Sequence, residues 1–220
     1  MSALSPAAVS LRTAAVMAAF ALAFTALMAG AYLLTRPRIE HSAEQEKLRL
    51  IDEVLPRSAY DNALLDDVLV LAATPELGLP AGGHVWRARK AGAPVALVLE
   101  AATPEGYSGR IGLVVAVLAD GSVGGVRVTA HRETPGLGDY IDPAKDKNKA
   151  RPWIGQFAGQ SLDRLSLPRW QVRKDGGDFD YMTGATVSAR AVTRAVARTV
   201  DYARAHRDQL FAAPTPGAQP

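Results

Sequence analysis

Residues 13–34 contain no charged side chain, and no polar face recurs at helical spacing within them. About 20 apolar residues cross the hydrocarbon core of a bilayer as a helix, so this run reads as a membrane span bracketed by Arg12 and Arg36. A cleaved signal peptide is the rival reading, with Ala29-Gly30-Ala31 as a small-residue cleavage site. The apolar run continues past that point and exceeds the usual hydrophobic region of about 7–15 residues, which favours a retained anchor. Arg12 and the amino terminus lie on one side, Arg36 and Arg38 on the other, so flanking charge does not orient the span.

Beyond the span the period changes twice. Leu48, Ile51, Val54 and Leu55 fall at helical spacing and predict a helix over residues 40–55, stopped by Pro56. A second helical stretch is expected over residues 59–69. Pro75, Gly78, Pro80, Gly82 and Gly83 then break regular structure. Residues 84–90, 94–102, 111–118 and 123–130 read as strands, separated by Gly92, by Glu105-Gly106 and by Asp120-Gly121. Connections this short imply antiparallel pairing. The run Ile111-Gly112-Leu113-Val114-Val115-Ala116-Val117-Leu118 is too short to span a bilayer and fits a buried central strand. A short helical piece is expected at residues 153–158. A last helix runs over residues 186–210, with Val192, Val196, Val200 and Ala203 as its apolar stripe.

The expected fold class is α+β: a single N-terminal transmembrane helix, then one domain with a mainly antiparallel sheet flanked by helices. The corresponding divisions are a short segment at 1–12, the span at 13–34, a juxtamembrane helical region at 35–83, the folded domain at 84–211 and a disordered Pro/Ala/Gly-rich tail at 212–220.

Composition narrows the chemistry. Hydrophobic residues make up 48% and charged residues 21% of the 220, which is the balance of a folded chain. The net charge of +3 comes from scattered, interleaved residues, so a nucleic-acid partner is not expected. The chain has no cysteine, which excludes disulfides, iron–sulfur ligation by thiolates and c-type haem attachment. Arg190, Arg194 and Arg198 lie four apart on one helical face. They read either as a solvated face or as a docking surface.

The segment Asp180-Tyr181-Met182-Thr183-Gly184-Ala185-Thr186 turns through Gly184 into the last helix. Unpaired first-turn amides and the positive end of the helix dipole suit a phosphate there. Gly184 and Ala185 leave room for a ligand, and Thr183 and Thr186 offer hydroxyls. On spacing alone a plain threonine N-cap, worth about 1 kcal/mol, is the commoner reading of such a segment. A hydroxyl nucleophile would need a base, and none of His41, His84, His131 and His206 stands in a motif that supplies one. A glycine-rich turn followed by Gly-Lys-Ser/Thr is absent.

Asp-x-x-Thr-Gly-Ala-Thr, as it stands at residues 180–186, resembles the flavinylation motif of the FMN-binding domain family. It is joined by Gly106-Tyr107-Ser108-Gly109-Arg110-Ile111, by His131-Arg132-Glu133-Thr134-Pro135-Gly136-Leu137-Gly138-Asp139, and by Trp170 with Lys174-Asp175-Gly176-Gly177-Asp178-Phe179-Asp180. Those blocks, in this order behind a span, are similar to the RnfG family, the flavin-bearing G component of Rnf-type ion-translocating electron transport complexes. The C component of the sodium-pumping NADH:quinone reductase is a sibling and the alternative assignment. A membrane-anchored binding module without redox role is the other.

The resemblance implies FMN joined by a phosphodiester to Thr186, with Asp180, Thr183, Gly184 and Ala185 in the signature that a flavin transferase reads. Glu133, Thr134, Leu137 and Gly138 are implied to lie against the flavin, although the same loop is also a plain turn after a strand. It further implies an electron-carrier subunit with little turnover alone. Its partners would be the other subunits of the complex, the transferase and membrane lipid, and its domain would lie on the periplasmic side of a bacterial inner membrane. Tyr107 and Trp153 are placed outside the site.

Overall fold

The computed structural model describes residues 6–214, except for the side chains of 6–9 and 37–48. Residues 1–5 of the expected N-terminal segment and 215–220 of the expected tail lie outside the described residues. The chain divides into two compact units, one through Lys47 and one from Leu48 onward. Helix α1 runs from Pro6 to Val54 as one element of 49 residues, where two separate helices were expected. Its Ser10–Arg36 segment is long and apolar enough to cross a membrane, with mean hydropathy 2.0 and none of it buried.

The second unit is built on a five-stranded antiparallel meander. Its strands are β1 (Val68–Leu71), β2 (Gly83–Lys90), β3 (Ala93–Gly106), β4 (Gly109–Leu118) and β5 (Val123–Ala130). The two-residue turn from β2 to β3 places Ala91 at φ 49° and Gly92 at φ 79°, the left-handed pair that a tight hairpin turn uses. β3 and β4 extend further than hydropathy alone suggests, and only Tyr107 and Ser108 join them.

Both faces of the sheet are covered, which explains the unbroken hydrophobic run of β4. Leu113, Val115 and Val117 face a large core completed by helix α2 (Thr186–Ala212). Val114 and Ala116 face a smaller core with Trp86, Val98, Ile51, Val54, Leu55, Tyr60 and Leu64. At Gly125 a Cβ would stand 2.8 Å from the Val54 Cα, so a side chain there would push away the last turn of α1.

Residues 59–69 are not the helix expected there. A 3-10 turn at Arg57–Ala59 is followed by a separate tight turn at residues 64–66, closed by the Asp66 and Asp67 N–H groups on the Ala63 carbonyl, and then by β1. The reason lies in polar side chains that engage strand backbone instead of a helix. The Asn62 amide donates to the Arg87 carbonyl at 2.9 Å and accepts the Arg89 N–H at 2.8 Å. The Asp61 carboxylate accepts the Ala91 N–H at 2.8 Å.

Helix α2 crosses the sheet with Ala189, Val192, Ala195, Val196, Val200 and Ala203 buried. Its C-terminal carbonyls are met by two arginines of β2. Arg87, only 1% exposed, donates from Nη1 to the Leu210 carbonyl at 3.1 Å and also to that of Ala213. Arg89 Nη2 donates to the Phe211 carbonyl at 2.9 Å. Asp67 holds both guanidinium groups, at 2.7 Å from Arg87 Nε and 2.9 Å from Arg89 Nε. Guanidinium charge at the negative end of the dipole is favourable.

Asp67→Ala leaves Arg87 buried without its carboxylate and should lower stability by about 3 kcal/mol in a urea titration. Burial raises the Asp67 carboxyl pKa, but hydrogen bonds from Arg89 and Arg87 outweigh it and the net direction is down. A depressed folded-state value means that this stability is fully present above about pH 4. It is lost as pH falls through the folded value, so the advantage of wild type over Asp67→Asn should shrink in acid.

Candidate functional site

Helix α2 meets its two ends differently. Thr186 is its first residue and Ala185 its N-cap, with φ −132° and ψ 37°, and no side chain caps it. A plain threonine cap, one of the readings open from spacing alone, is therefore not what forms here. The first-turn amides keep the capacity to bind an anion.

The turn before the helix is pinned from behind. The Ala185 N–H donates to the Met182 carbonyl at 3.0 Å, with Gly184 at φ +89°, a left-handed conformation in which glycine is unstrained. Beyond Gly184 a Cβ would meet nothing within 4 Å, so its outer side is open. The buried Tyr140 hydroxyl accepts the Met182 N–H at 3.2 Å and donates to the Ala185 carbonyl at 3.3 Å. The Trp153 indole N–H donates to the Asp180 carbonyl at 2.7 Å, and Gln156 Oε1 accepts the Asp180 N–H at 2.7 Å.

These anchors ride on a chain of rings. Trp153 packs edge-on against Tyr140 and Phe157, Phe157 stacks on Phe179 at 4.8 Å between centroids, and Phe179 meets Trp170 at 5.1 Å. Short 3-10 turns at Gly138–Ile141 and Trp153–Phe157 carry three of them. The loop-rich stretch before α2 is thereby ordered without long helices or strands.

In front of the turn lies a cavity of about 310 Å³, lined by Tyr107, Glu133, Thr134, Leu137, Gly138, Gly184, Ala185, Val187 and Ser188. Three segments close it: the β3–β4 turn, the loop after β5, and the first turn of α2. The Thr134 carbonyl closes the loop by accepting the N–H groups of Leu137 and Gly138, both at 3.1 Å. Tyr107, Leu137 and Val187 are 73%, 49% and 39% exposed and give the cavity an apolar rim.

Of the residues expected at the site, the fold brings Glu133, Thr134, Leu137, Gly138, Gly184 and Ala185 together. Thr186 stands between the lining residues Ala185 and Val187, half-buried, without lining the cavity itself. Thr183 is exposed. Asp180 is exposed too and pairs with Arg173 at 2.8 Å. It lines a different cavity with Arg151, Trp153 and Gln156. Tyr107, Val187 and Ser188 were missed, although all three sit inside or directly beside the quoted motif blocks. Arg190 is not simply solvated, since it grips Asp175 at 2.5 and 2.8 Å, and Arg194 lies 3.5 Å from Glu105.

A mononucleotide with a planar ring fits this arrangement. An uncapped helix start offers amides to a phosphate, a threonine hydroxyl stands at that start, and the cavity has the size and apolar rim of a small-ligand site. Among the described residues no group of His, Cys, Asp and Glu could hold a metal ion.

Comparison with known proteins identifies the family. Residues 106–201 match the FMN-binding domain model, so the second unit carries an FMN-binding domain. Residues 1–54 match the RnfG N-terminal region. Proteins named as the G component of the ion-translocating oxidoreductase complex are 42% identical in Pseudoalteromonas atlantica, over 90% of both chains. They are 43% identical in Pseudomonas aeruginosa, over 92% of both, and 39% in Vibrio cholerae, over 91% of this chain and 93% of the relative. The chain belongs to this RnfG family.

Tyr140→Phe should leave the Met182 N–H and the Ala185 carbonyl without their partner, costing about 1–2 kcal/mol and speeding amide exchange at residues 182–186. Burial pushes the Tyr140 hydroxyl up to about 12. A raised folded value means that its contribution is complete below the ordinary value of about 10 and is lost as pH rises toward 12. The variant should lack that alkaline loss in a denaturant series.

Proposed function

We propose that this chain is the flavin-carrying, membrane-anchored subunit of an ion-translocating oxidoreductase complex, with FMN joined through its phosphate to the Thr186 hydroxyl. The observation that carries this reading is the start of α2, where an uncapped first turn begins at Thr186 beside a cavity of mononucleotide character. In this role the amides of the first turn hold the phosphate, and the positive end of the helix dipole offsets its charge. The opening at Gly184 admits a flavin transferase during maturation, and Tyr140, Trp153 and Gln156 keep the turn in place. Tyr107, Leu137 and Val187 give the ring an apolar surface while leaving one side open to redox partners. Bound flavin supplies electron transfer in single steps, and the protein sets its potential through nearby charge and hydrogen bonds.

The Ser10–Arg36 segment supports anchoring in membrane lipid, and the names of the relatives support partnership with the other subunits of a complex. By family resemblance the domain faces the periplasm from a bacterial inner membrane. Added protease should therefore cleave the domain in intact spheroplasts, and protection there would reverse the orientation.

The attachment is tested by co-expressing the chain with a flavin transferase, denaturing it and imaging the gel. Wild type should keep yellow fluorescence on the polypeptide and Thr186→Ala should lose it. Fluorescence retained by Thr186→Ala would move the link elsewhere, and a wild type that never fluoresces would remove the covalent carrier altogether.

A further inference from the structure

Glu133 is nearly buried, with 4% of its surface exposed, yet it lines the cavity. Its carboxylate joins the three segments that form the site. Oε1 accepts the Ser108 N–H of the β3–β4 turn at 3.0 Å, and Oε2 accepts the hydroxyl of Ser188 in the first turn of α2. Its own N–H donates to His131 Nδ1 at 3.2 Å. The glycines around it have no room to spare: a Cβ on Gly106 or Gly138 would stand 2.8 Å from a carboxylate oxygen. Among the described residues no lysine or arginine pairs with it. Its neighbours are hydroxyl, amide and the positive end of α2.

A carboxylate kept this dry and this close to a ligand cavity acts on charge inside the cavity through a poorly screened field. We propose that Glu133 holds down the reduction potential of the flavin bound there, a role that rests on the flavin reading above. When an external one-electron donor such as dithionite gives up an electron, the flavin ring gains one negative charge until a proton from water neutralises it. A fixed carboxylate in the wall opposes that charge and so disfavours the reduced form. Glu133 thus does more than knit the walls together. The hydrogen bonds set its position, and its charge sets the potential.

The test compares full-length chains, flavinylated in vivo and purified in detergent, by spectroelectrochemical titration. Glu133→Gln keeps the shape and removes the charge. It should favour reduction by about tenfold, a rise of about 59 mV for a one-electron couple, read on the flavin-loaded fraction. Glu133→Asp keeps the charge but withdraws it from Ser108 and Ser188, so its potential should fall between those of wild type and Glu133→Gln. A purely structural role would leave Gln and wild type at the same potential, and that result overturns the proposal while leaving flavin attachment intact. A wild type without flavin overturns both. Should Glu133→Gln fail to fold or load, Ser188→Ala takes its place. Removing that hydroxyl leaves the carboxylate less neutralised, so the potential should fall, and one that rises or stays fixed overturns the role of Glu133.

Discussion

A helix leaves carbonyls without partners at one end and amides without partners at the other, and α2 settles these two demands very differently. At its C-terminal end Arg87 and Arg89 reach from β2 to the Leu210, Phe211 and Ala213 carbonyls, with Asp67 bracing both arginines. At its N-terminal end no side chain caps the first turn. The helix is therefore locked to the sheet by its far end and its buried stripe, while no side chain caps its start. A fold that needed the first turn for its own stability would have placed a cap there, because a cap is worth about 1 kcal/mol at the cost of one small polar residue.

That division governs the loops around the site. The turn at Met182–Ala185 must be fixed closely, or the start of α2 would fray and its amides would point in no common direction. Fixing comes from behind, through the Tyr140 hydroxyl, the Trp153 indole and the Gln156 amide. None of these lines the 310 Å³ cavity. The turn is thus supported from outside the cavity, and the aromatic chain from Tyr140 to Trp170 carries that support into the core.

Much of this was legible in the sequence, and the exceptions have physical causes. The four main strands, their antiparallel order and α2 follow from short alternating or continuous apolar runs and turn residues, because local period determines which face a side chain takes. The loss of the expected helix at residues 59–69 could not be read locally, since Asn62 and Asp61 bond to β2 and the turn after it, some 25 to 30 residues away. The cavity was half legible. Glu133, Thr134, Leu137, Gly138, Gly184 and Ala185 stand together as expected, while Asp180 faces away, because the turn at Gly184 reverses the chain between them. Tyr107 is not legible as a site residue, because an exposed ring in a hairpin turn carries no sign of what it faces until β3 and β4 are folded.

The openness of the cavity bears on why the proposed covalent link would suit it. Sites that hold small molecules by contact alone bury most of the ligand surface. This one keeps Tyr107, Leu137 and Val187 exposed along its rim, so contact alone would hold a flavin weakly. Closing the rim would improve retention and block approach by redox partners. The proposed bond at Thr186 would remove that conflict, because a tethered ring returns to its cavity as an intramolecular event, at an effective concentration far above that of free cofactor. Attachment there would also put the charged phosphate where α2 can neutralise it, so that the ring alone has to reach the apolar rim. Under the proposed reading, the uncapped first turn and the exposed rim are two consequences of one requirement: a carrier that must be kept and must also be reached.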